Sequence, residues 1–219
     1  MRTTRIFLFF GSLLLGACAV TSIQKESTLE DIWKDRAADW RERLKHDEIS
    51  ILLLSGQIPM ENNPKISELT KERYVRFISL LKILRDLDGH PFLKALVATQ
   101  WMQRETRNGF YIRDGQKDYW ETPAEVFQKG GDDCDGLASL LYHALRFSGF
   151  SNEEIDLKII RKDLRDTEDD QVHLVVIWYD KREREFPWVL DPVGSSTQKV
   201  LRVNNLGWSP EFSFNEIAP

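Results

Sequence analysis

The sequence predicts an α+β fold in which helices come first and an antiparallel sheet follows. In roughly the first two thirds of the chain, apolar residues recur every three to four positions, as in amphipathic helices. After Phe147 they form short continuous runs separated by charged stretches, which is typical of buried strands. After the leader, no stretch approaches 18 apolar residues, so the sequence predicts no membrane-spanning helix.

The chain opens with a basic start and a ten-residue apolar run, Ile6 to Leu15, too short to span a bilayer and typical of a secretory signal. The run ends in Leu15-Gly16-Ala17-Cys18, which resembles the bacterial lipobox. We therefore expect residues 1–17 to be a lipoprotein signal peptide and Cys18 to carry the lipid. The alternative is an ordinary cleaved signal that contains a cysteine. The lipid would anchor the protein to a membrane of the bacterial envelope, the outer membrane facing the periplasm in a Gram-negative cell.

Residues 18–27 are polar and form a predicted tether, and 28–219 form one predicted domain with a helical part over 28–106. Loss of the leader removes two arginines and no acid, so the net charge falls from −5 to −7. An acidic chain gives no electrostatic reason to expect nucleic acid as a partner.

Predicted helices begin at a capping pattern in Ser27–Glu30, near Thr70 and near Pro91, while Ile49 to Leu54 fits helix or strand. A loop rich in aromatic residues should follow over Asn108–Trp120. Two further helices are expected, a short one that starts at Thr122-Pro123 and ends at Gly130-Gly131, and one from Cys134 to Phe147 with Asp132 and Asp133 as N-caps. The predicted strands are Leu157–Ile160, Val172–Tyr179, Phe186–Leu190 and Lys199–Val203, with a charged loop over Arg161–Gln171.

Cys134 is the candidate nucleophile. Once Cys18 is assigned to lipid, Cys134 has no disulfide partner, which is unusual in an exported chain. At a helix start, the unpaired N–H groups favour a thiolate, and we expect alkylation of Cys134 with an inflection well below about pH 8.5 that depends on a histidine. Asp132, Asp133 and Asp135 oppose this, so an imidazolium or a bound cation must offset their charge. The alternative is an inert, buried thiol.

His173 is the candidate base because it stands inside the most apolar predicted strand, where an unpaired imidazole would be costly. His143 should face away from Cys134, on the surface, and His46 and His90 have no partner signal. If the hairpin turn centres on Arg182, His173 lies directly opposite Asp191 and both point to one face. A slip of one residue would separate them, and a buried histidine with a purely structural hydrogen bond is the alternative.

Residues of about 97–191 resemble the bacterial transglutaminase-like cysteine peptidases, of the wider transglutaminase-like (papain-like) superfamily. The resemblance is carried by Asp118-Tyr119-Trp120, Thr122-Pro123 with Glu125, Gly130-Gly131-Asp132-Asp133-Cys134-Asp135, His173 and Leu190-Asp191. It implies a transglutaminase-like domain with Cys134, His173 and Asp191 as nucleophile, base and orienting acid. The family includes calcium-dependent periplasmic proteases that release adhesins.

The sequence departs from that family at the residue after Asp135, where Gly136 stands in place of a second acid. In the adhesin proteases these acids, with the one before the cysteine, resemble a calcium site. We expect that no cofactor is required and that Asp133 and Asp135 are the carboxylates that could bind calcium, against the alternative that they only cap a helix.

The sequence thus predicts a lipid-anchored envelope thiol hydrolase that acts on a protein or peptide through an acyl-enzyme. An alternative is acyl transfer to an amine, which uses the same triad. The other is a lipoprotein that keeps the fold as a binding module without catalysis.

Overall fold

A computed structural model describes residues 28–112, 119–162, 172–193, 201–202 and 208–217 of the chain. The helices in this part are α1 Leu29–Leu44, α2 Glu48–Leu54, α3 Lys71–Asp86, α4 Pro91–Glu105, a π-helical turn Thr106–Phe110, α5 Pro123–Lys129 and α6 Cys134–Phe147. The strands are β1 Ile155–Lys162, β2 Val172–Trp178, β3 Trp188–Leu190, β4 Leu201–Arg202 and β5 Trp208–Phe214. Helices thus precede the sheet, and the predicted α+β class is confirmed.

The amino-terminal helices are set by their caps. The capping box of α1 lies one residue later than predicted, because Thr28 is the N-cap and exchanges hydrogen bonds with Asp31. The ambiguous apolar stretch is the helix α2, whose N-cap Asp47 accepts a hydrogen bond from the backbone N–H of Ser50. This cap satisfies the backbone N–H of Ser50, which in a strand would have to pair with a neighbouring strand.

Helices α5 and α6, which precede the sheet, have the predicted glycine and aspartate residues at their ends. Thr122 and Glu125 form a capping box at the start of α5, and Gly130 closes that helix in the left-handed conformation. Asp133 is the N-cap of α6, whereas the side chain of Asp132 turns inward and is fully buried. The prediction that both aspartates cap α6 is therefore wrong for Asp132.

The sheet is antiparallel throughout, with the strand order β4-β3-β2-β1-β5. Strand β5 was not predicted, because Pro210 interrupts its apolar alternation. Proline is tolerated there because β5 is an edge strand, and the register shifts between Ile159 and Ile160 of β1 opposite it. Strand β1 also continues through Lys162, into the predicted charged loop, of which residues 163–171 lie outside the described part.

The core lies between the helices and one face of the sheet. Helix α6 packs against β1 and β2, and α1 packs against β5 through Trp33 on Phe212 and Trp40 on Phe214. A smaller apolar cluster covers part of the other face and consists of Ile160, Val175, Ile177 and Val189 with Tyr179 against it.

Helices α1 and α2 hold the segment that leads into α5. Arg43 of α1 pairs with Glu125 at 2.5 Å, donates to the carbonyl of Trp120 at 2.7 Å and lies over the ring of Tyr119. Asp47 accepts a hydrogen bond from the backbone N–H of Ala124 at 2.9 Å. The amino-terminal helices thus fix the position of the residues just before α6.

Residues 1–27, including Cys18, the signal and the tether, lie outside the described part, as does Asp118. Among the residues that the structure describes, none of the helices combines the length and the hydropathy that a membrane span requires.

The prediction that His143 lies on the surface is wrong. His143 is fully buried in α6. Its Nδ1 pairs with the carbonyl of Ser139 at 2.8 Å, and its ring packs edge-on against Trp40. Helical phase placed it opposite Cys134, but α6 is buried nearly all round, since α2 and α4 cover it as well as the sheet. Burial lowers the pKa of His143 to about 4.

We expect the free energy of unfolding to fall as the pH drops from 6.5 toward about 4, because the unfolded chain protonates His143 in this range and the folded chain does not. The loss should reach up to about 3 kcal/mol. Urea unfolding at neutral pH and at about pH 4.5 measures it. His143→Gln should flatten this dependence, whereas His46→Gln, at an exposed position, should not. Equal dependence in the two variants would contradict the assignment.

Gly131 permits a close approach of two backbone segments. It has φ +140, and a Cβ there would lie 2.4 Å from the carbonyl oxygen of Phe110. Asp132 then donates its N–H to that oxygen, and Ile112 donates to the carbonyl of Asp132. A side chain at this position would thus disturb the entry to α6.

Gly131→Ala should destabilise the fold by roughly 3 kcal/mol, from backbone strain and overpacking together. Gly149→Ala is the matched control, because Gly149 also has a positive φ but open space around its Cα, so strain alone should cost roughly 1 kcal/mol. Urea midpoints compare the two. Equal losses would show that the approach to Phe110 is unimportant.

Candidate active site

Cys134 is the first residue of α6 and is partly exposed. The carboxylate of Asp133 accepts the N–H of Asp135 at 3.3 Å, so one of the free donors at this helix end is satisfied. The N–H of Gly136 is donated to the carboxylate of Asp135 at 2.6 Å and that of Leu137 to the carbonyl of Asp133 at 3.3 Å. Among the described contacts, the N–H of Cys134 is therefore the donor of this turn that remains available to a negatively charged group beside the sulfur. This position can therefore support both a thiol nucleophile and the oxyanion that its attack creates.

His173 and Asp191 are in contact. Nε2 of His173 lies 2.9 Å from Oδ1 of Asp191, and both residues are buried. The predicted register is nevertheless wrong by two residues, because Val176 pairs with Leu190 and Trp178 with Trp188. A register shift of two residues leaves each side chain on the same face of the sheet. His173 and Asp191 are therefore diagonal neighbours and are not directly opposite each other.

Hydrogen bonds from Val193, Gln103 and Thr106 hold Asp191 and the next residue, Pro192, in place. Its Oδ1 also accepts the N–H of Val193 at 2.9 Å, and its carbonyl accepts a hydrogen bond from Nε2 of Gln103 at 2.9 Å. Thr106 donates its hydroxyl to the carbonyl of Pro192. The end of α4 therefore fixes the segment that follows β3. No signal in the sequence marks Gln103 as a partner of Asp191, since its position in an amphipathic helix predicts only burial.

The structure brings Cys134 to the strand that carries His173. The backbone of Leu174, the next residue of β2, hydrogen-bonds the thiol, and Asp191 is close enough to act on its charge. In the described part of the chain, no hydrogen bond joins the sulfur of Cys134 to the ring of His173. Since Asp191 occupies Nε2, Nδ1 is the ring nitrogen that can receive a proton.

Burial and the charges of Asp135 and Asp133 raise the pKa of Cys134 well above its usual range, while the Leu174 hydrogen bond lowers it. The described residues thus oppose the lowered thiol pKa that the sequence predicted. The helix terminus does not compensate for two carboxylates and for the partial desolvation of the thiol. At neutral pH the resting thiol keeps its proton, so attack requires a base.

The acids around Cys134 converge differently from the prediction. Glu121, Asp132 and Asp135 each offer one carboxylate oxygen within 4.8 Å of the others. Asp133 caps α6 and is not a member of this group, whereas Asp135 is, and the pair Asp133 and Asp135 as calcium ligands stays a prediction. Lys129 joins the cluster through Nζ, which lies 2.6 Å from Oε1 of Glu121 and 2.7 Å from Oδ1 of Asp132.

Each acid of this cluster affects the others. Burial and the hydrogen bond with Glu121 raise the pKa of Asp132 to about 8, against the lowering effect of Lys129. Burial and the charge of Asp133 raise the pKa of Asp135. Burial and mutual repulsion therefore favour the neutral, protonated forms of Asp132 and Asp135. The sequence missed Glu121 and Lys129 because neither stands in a metal-ligand spacing.

A groove of about 640 Å³ lies between α3 and α4, with Arg76, Arg104 and Arg107 among its lining residues. Gln103 also lines it and separates it from Asp191. None of Cys134, His173 and Asp191 lines this groove. The groove is therefore separate from the candidate catalytic residues, and its presence does not identify the active site.

Cys134 should be alkylated by iodoacetamide with an inflection above about pH 8.5 in buffer with EDTA, because burial and two acids disfavour the thiolate. A Cys18→Ser background leaves this thiol alone. Asp135→Asn should move the inflection to lower pH, and Asp156→Asn, an acid on β1, should leave it unchanged. An inflection at or below about pH 8.5 in the parent would contradict this environment.

No family model matches the chain, and no curated protein matches it in sequence. In structure the chain is similar to LapG of Legionella pneumophila, with 17% identity, a TM-score of 0.53, and 82% of this chain and 83% of that one covered. An EGTA-treated LapG gives 18%, 0.54, and 82% and 81%. A calcium-bound LapG gives 22%, 0.51, and 80% and 83%. This likeness is one of fold, and the predicted transglutaminase-like fold is confirmed.

Proposed function

We propose that the protein is a lipid-anchored envelope thiol hydrolase that cleaves a peptide or amide bond with Cys134, His173 and Asp191. The observation that carries the proposal is the buried contact of 2.9 Å between His173 and Asp191, on the strand whose next residue hydrogen-bonds the Cys134 thiol. A purely structural partner for His173 would not explain why this pair lies beside the thiol at the start of α6.

The proposed steps follow from the positions of these groups. Asp191 accepts the Nε2 proton of His173 and so leaves Nδ1 as the base. Nδ1 takes the thiol proton while the sulfur of Cys134 attacks the carbonyl carbon, and the N–H of Cys134 at the start of α6 donates to the oxyanion. His173 then protonates the leaving amine. Water, deprotonated by His173, attacks the thioester and releases the acid.

The raised pKa of Cys134 makes this a general-base mechanism and not one with a preformed ion pair. The covalent steps use three side chains and water and require no cofactor. A cation held by the acids beside Cys134 would act through its charge, by offsetting the field that disfavours the thiolate.

The same raised pKa is the observation that favours the alternative of a non-catalytic binding lipoprotein, in which the thiol stays inert. The other alternative, acyl transfer to an amine, uses the same acyl-enzyme and differs only in the acceptor. The anchor rests on the sequence around Cys18, and the substrate is proposed to be a protein or peptide of the envelope.

The acyl-enzyme can be tested with p-nitrophenyl acetate. We expect a burst of nitrophenolate and one acetyl group on Cys134 by intact-mass spectrometry, absent in Cys134→Ala. His173→Ala should slow acylation roughly 100-fold or more, because the base is removed, and Asp191→Asn should slow it by misorienting the ring. His46→Ala is the control at an exposed histidine. Equal acylation rates in His173→Ala and His46→Ala would sink the proposal.

The bond type is tested separately. The wild-type protein, but not Cys134→Ala, should create new amino termini in a tryptic peptide library, detected by amine labelling and mass spectrometry. Incorporation of a dansylated primary amine into those peptides, without new termini, would instead identify acyl transfer. Acylation in the first test with neither product in the second would exclude both peptide bonds and amine acceptors in that library.

A further inference from the structure

The groove between α3 and α4 is basic at one end and apolar toward the other. Its basic end is formed by Arg76 of α3, Arg104 of α4 and Arg107 of the π-helical turn. Ile83 and Val97 line it further along the two helices, and Ile83 is 51% exposed. Arg76 and Ile83 are seven residues apart in α3, which corresponds to about 10 Å along the helix.

The arginines at the basic end surround a single buried acid. The side chain of Glu105 is 1% exposed and pairs with Arg73, Arg76 and Arg104. Burial opposes ionisation of Glu105, but the three arginines lower its pKa, so the carboxylate is charged at neutral pH. One carboxylate therefore faces three guanidinium groups.

The remaining charge at this end is positive. Glu72 pairs with Arg76 at 2.7 Å from an exposed position and offsets one guanidinium. Arg107 adds another, and it forms no ion pair with a residue in the described part of the chain. None of the described side chains that line the groove is an acid. An anionic ligand would therefore meet guanidinium groups that are not neutralised, and guanidinium binds carboxylates with paired N–H donors.

The middle of the groove favours a peptide over a hydrocarbon chain. Ser79 and Gln100 line it and stand between the basic and apolar residues in the sequences of α3 and α4. The hydroxyl of Ser79 donates to the carbonyl of Val75, and its oxygen can still accept a hydrogen bond. The amide of Gln100 can donate and accept. A peptide backbone supplies partners for both side chains, whereas a fatty acid does not.

We infer that this groove is a docking site for an acidic segment of a partner protein. Carboxylates of the segment lie against Arg104 and Arg107, and an apolar side chain lies on Ile83 and Val97. Three residues of an extended chain span about 10 Å, so the acidic and apolar residues of the segment are about three positions apart. The site is independent of the proposed hydrolase activity, and its test uses no catalytic readout.

Gln103 gives the groove a link to the candidate active site. It lines the groove and donates from Nε2 to the carbonyl of Asp191 at 2.9 Å. A partner docked in the groove therefore lies one side chain away from the acid that pairs with His173.

Fluorescence anisotropy of labelled hexapeptides, with the Cys134→Ala protein, tests the docking site. The probe is a pool with two acidic residues, two variable residues and two leucines. We expect saturable binding that is weakened in ~0.5 M NaCl, because the contacts are ionic. A pool with Asn and Gln in place of the acids should bind roughly 10-fold more weakly or less. No saturable binding at millimolar peptide, or equal binding of the two pools, would overturn the inference.

Substitutions locate the site. Arg104→Gln with Arg107→Gln should raise the dissociation constant of the acidic pool by roughly 10-fold, because two charge-assisted contacts are lost. Arg85→Gln, at an exposed arginine of α3 outside the groove, should leave it unchanged. If the double variant does not fold, Arg107→Gln provides the same comparison. Equal affinities of the Arg85→Gln protein and the groove variant would overturn the inference.

The apolar end has its own matched pair. Ile83→Glu should weaken binding of the acidic pool, because it places a negative charge in the groove. Ile51→Glu, at a residue of α2 that is 49% exposed, should not. Equal affinities in these two variants would show that the peptide binds outside the groove.

Competition and sedimentation distinguish other occupants. Oleate and inorganic phosphate should displace the acidic pool only well above its dissociation constant. Displacement by oleate at lower concentrations would identify a fatty-acid site, and displacement by phosphate would identify a simple anion site. Self-association that is lost in the arginine variants would identify a second copy of the chain as the occupant. Each of these three results would overturn the inference.

Discussion

The chain can begin α6 at Cys134 only because two positions around it carry no side chain. At Gly131 the backbone runs against the carbonyl of Phe110, and at Gly136 the helix runs against the carboxylate of Asp132. These contacts fix the direction in which α6 leaves the loop and, with it, the place of the sulfur over β2. The packing of α6 on the sheet, the neighbourhood of His173 and the convergence of the acids all depend on that start.

Local signals were enough to predict most of the helices and the contact between His173 and Asp191. Caps and glycines mark the ends of α5 and α6 within one residue. The contact between His173 and Asp191 followed from alternation along strands, and it tolerated an error of two residues in the register because alternation has a period of two. Alternation along a strand thus predicts the face on which a side chain lies more reliably than it predicts the residue directly opposite.

What the sequence could not predict depends on contacts between distant segments. Strand β5 pairs with β1 despite Pro210, and His143 is buried because other helices cover the outer side of α6. The acids show the same limit, because Glu121 and Asp132 approach each other only through the turn after α5. The raised pKa of Cys134 likewise reflects burial and summed charge, neither of which is a property of the motif.

The ion pair and hydrogen bonds from Arg43 and Asp47 to the segment around Trp120 and Glu125 indicate how much of the chain is needed to hold the candidate site. The stretch that resembles known peptidases starts some fifty residues later than these two side chains. A shortened protein that keeps only this stretch would expose the N-terminus of α5 and leave Glu125 without its guanidinium. The helices that carry no recognisable motif are therefore part of the smallest unit that can hold the candidate site in place.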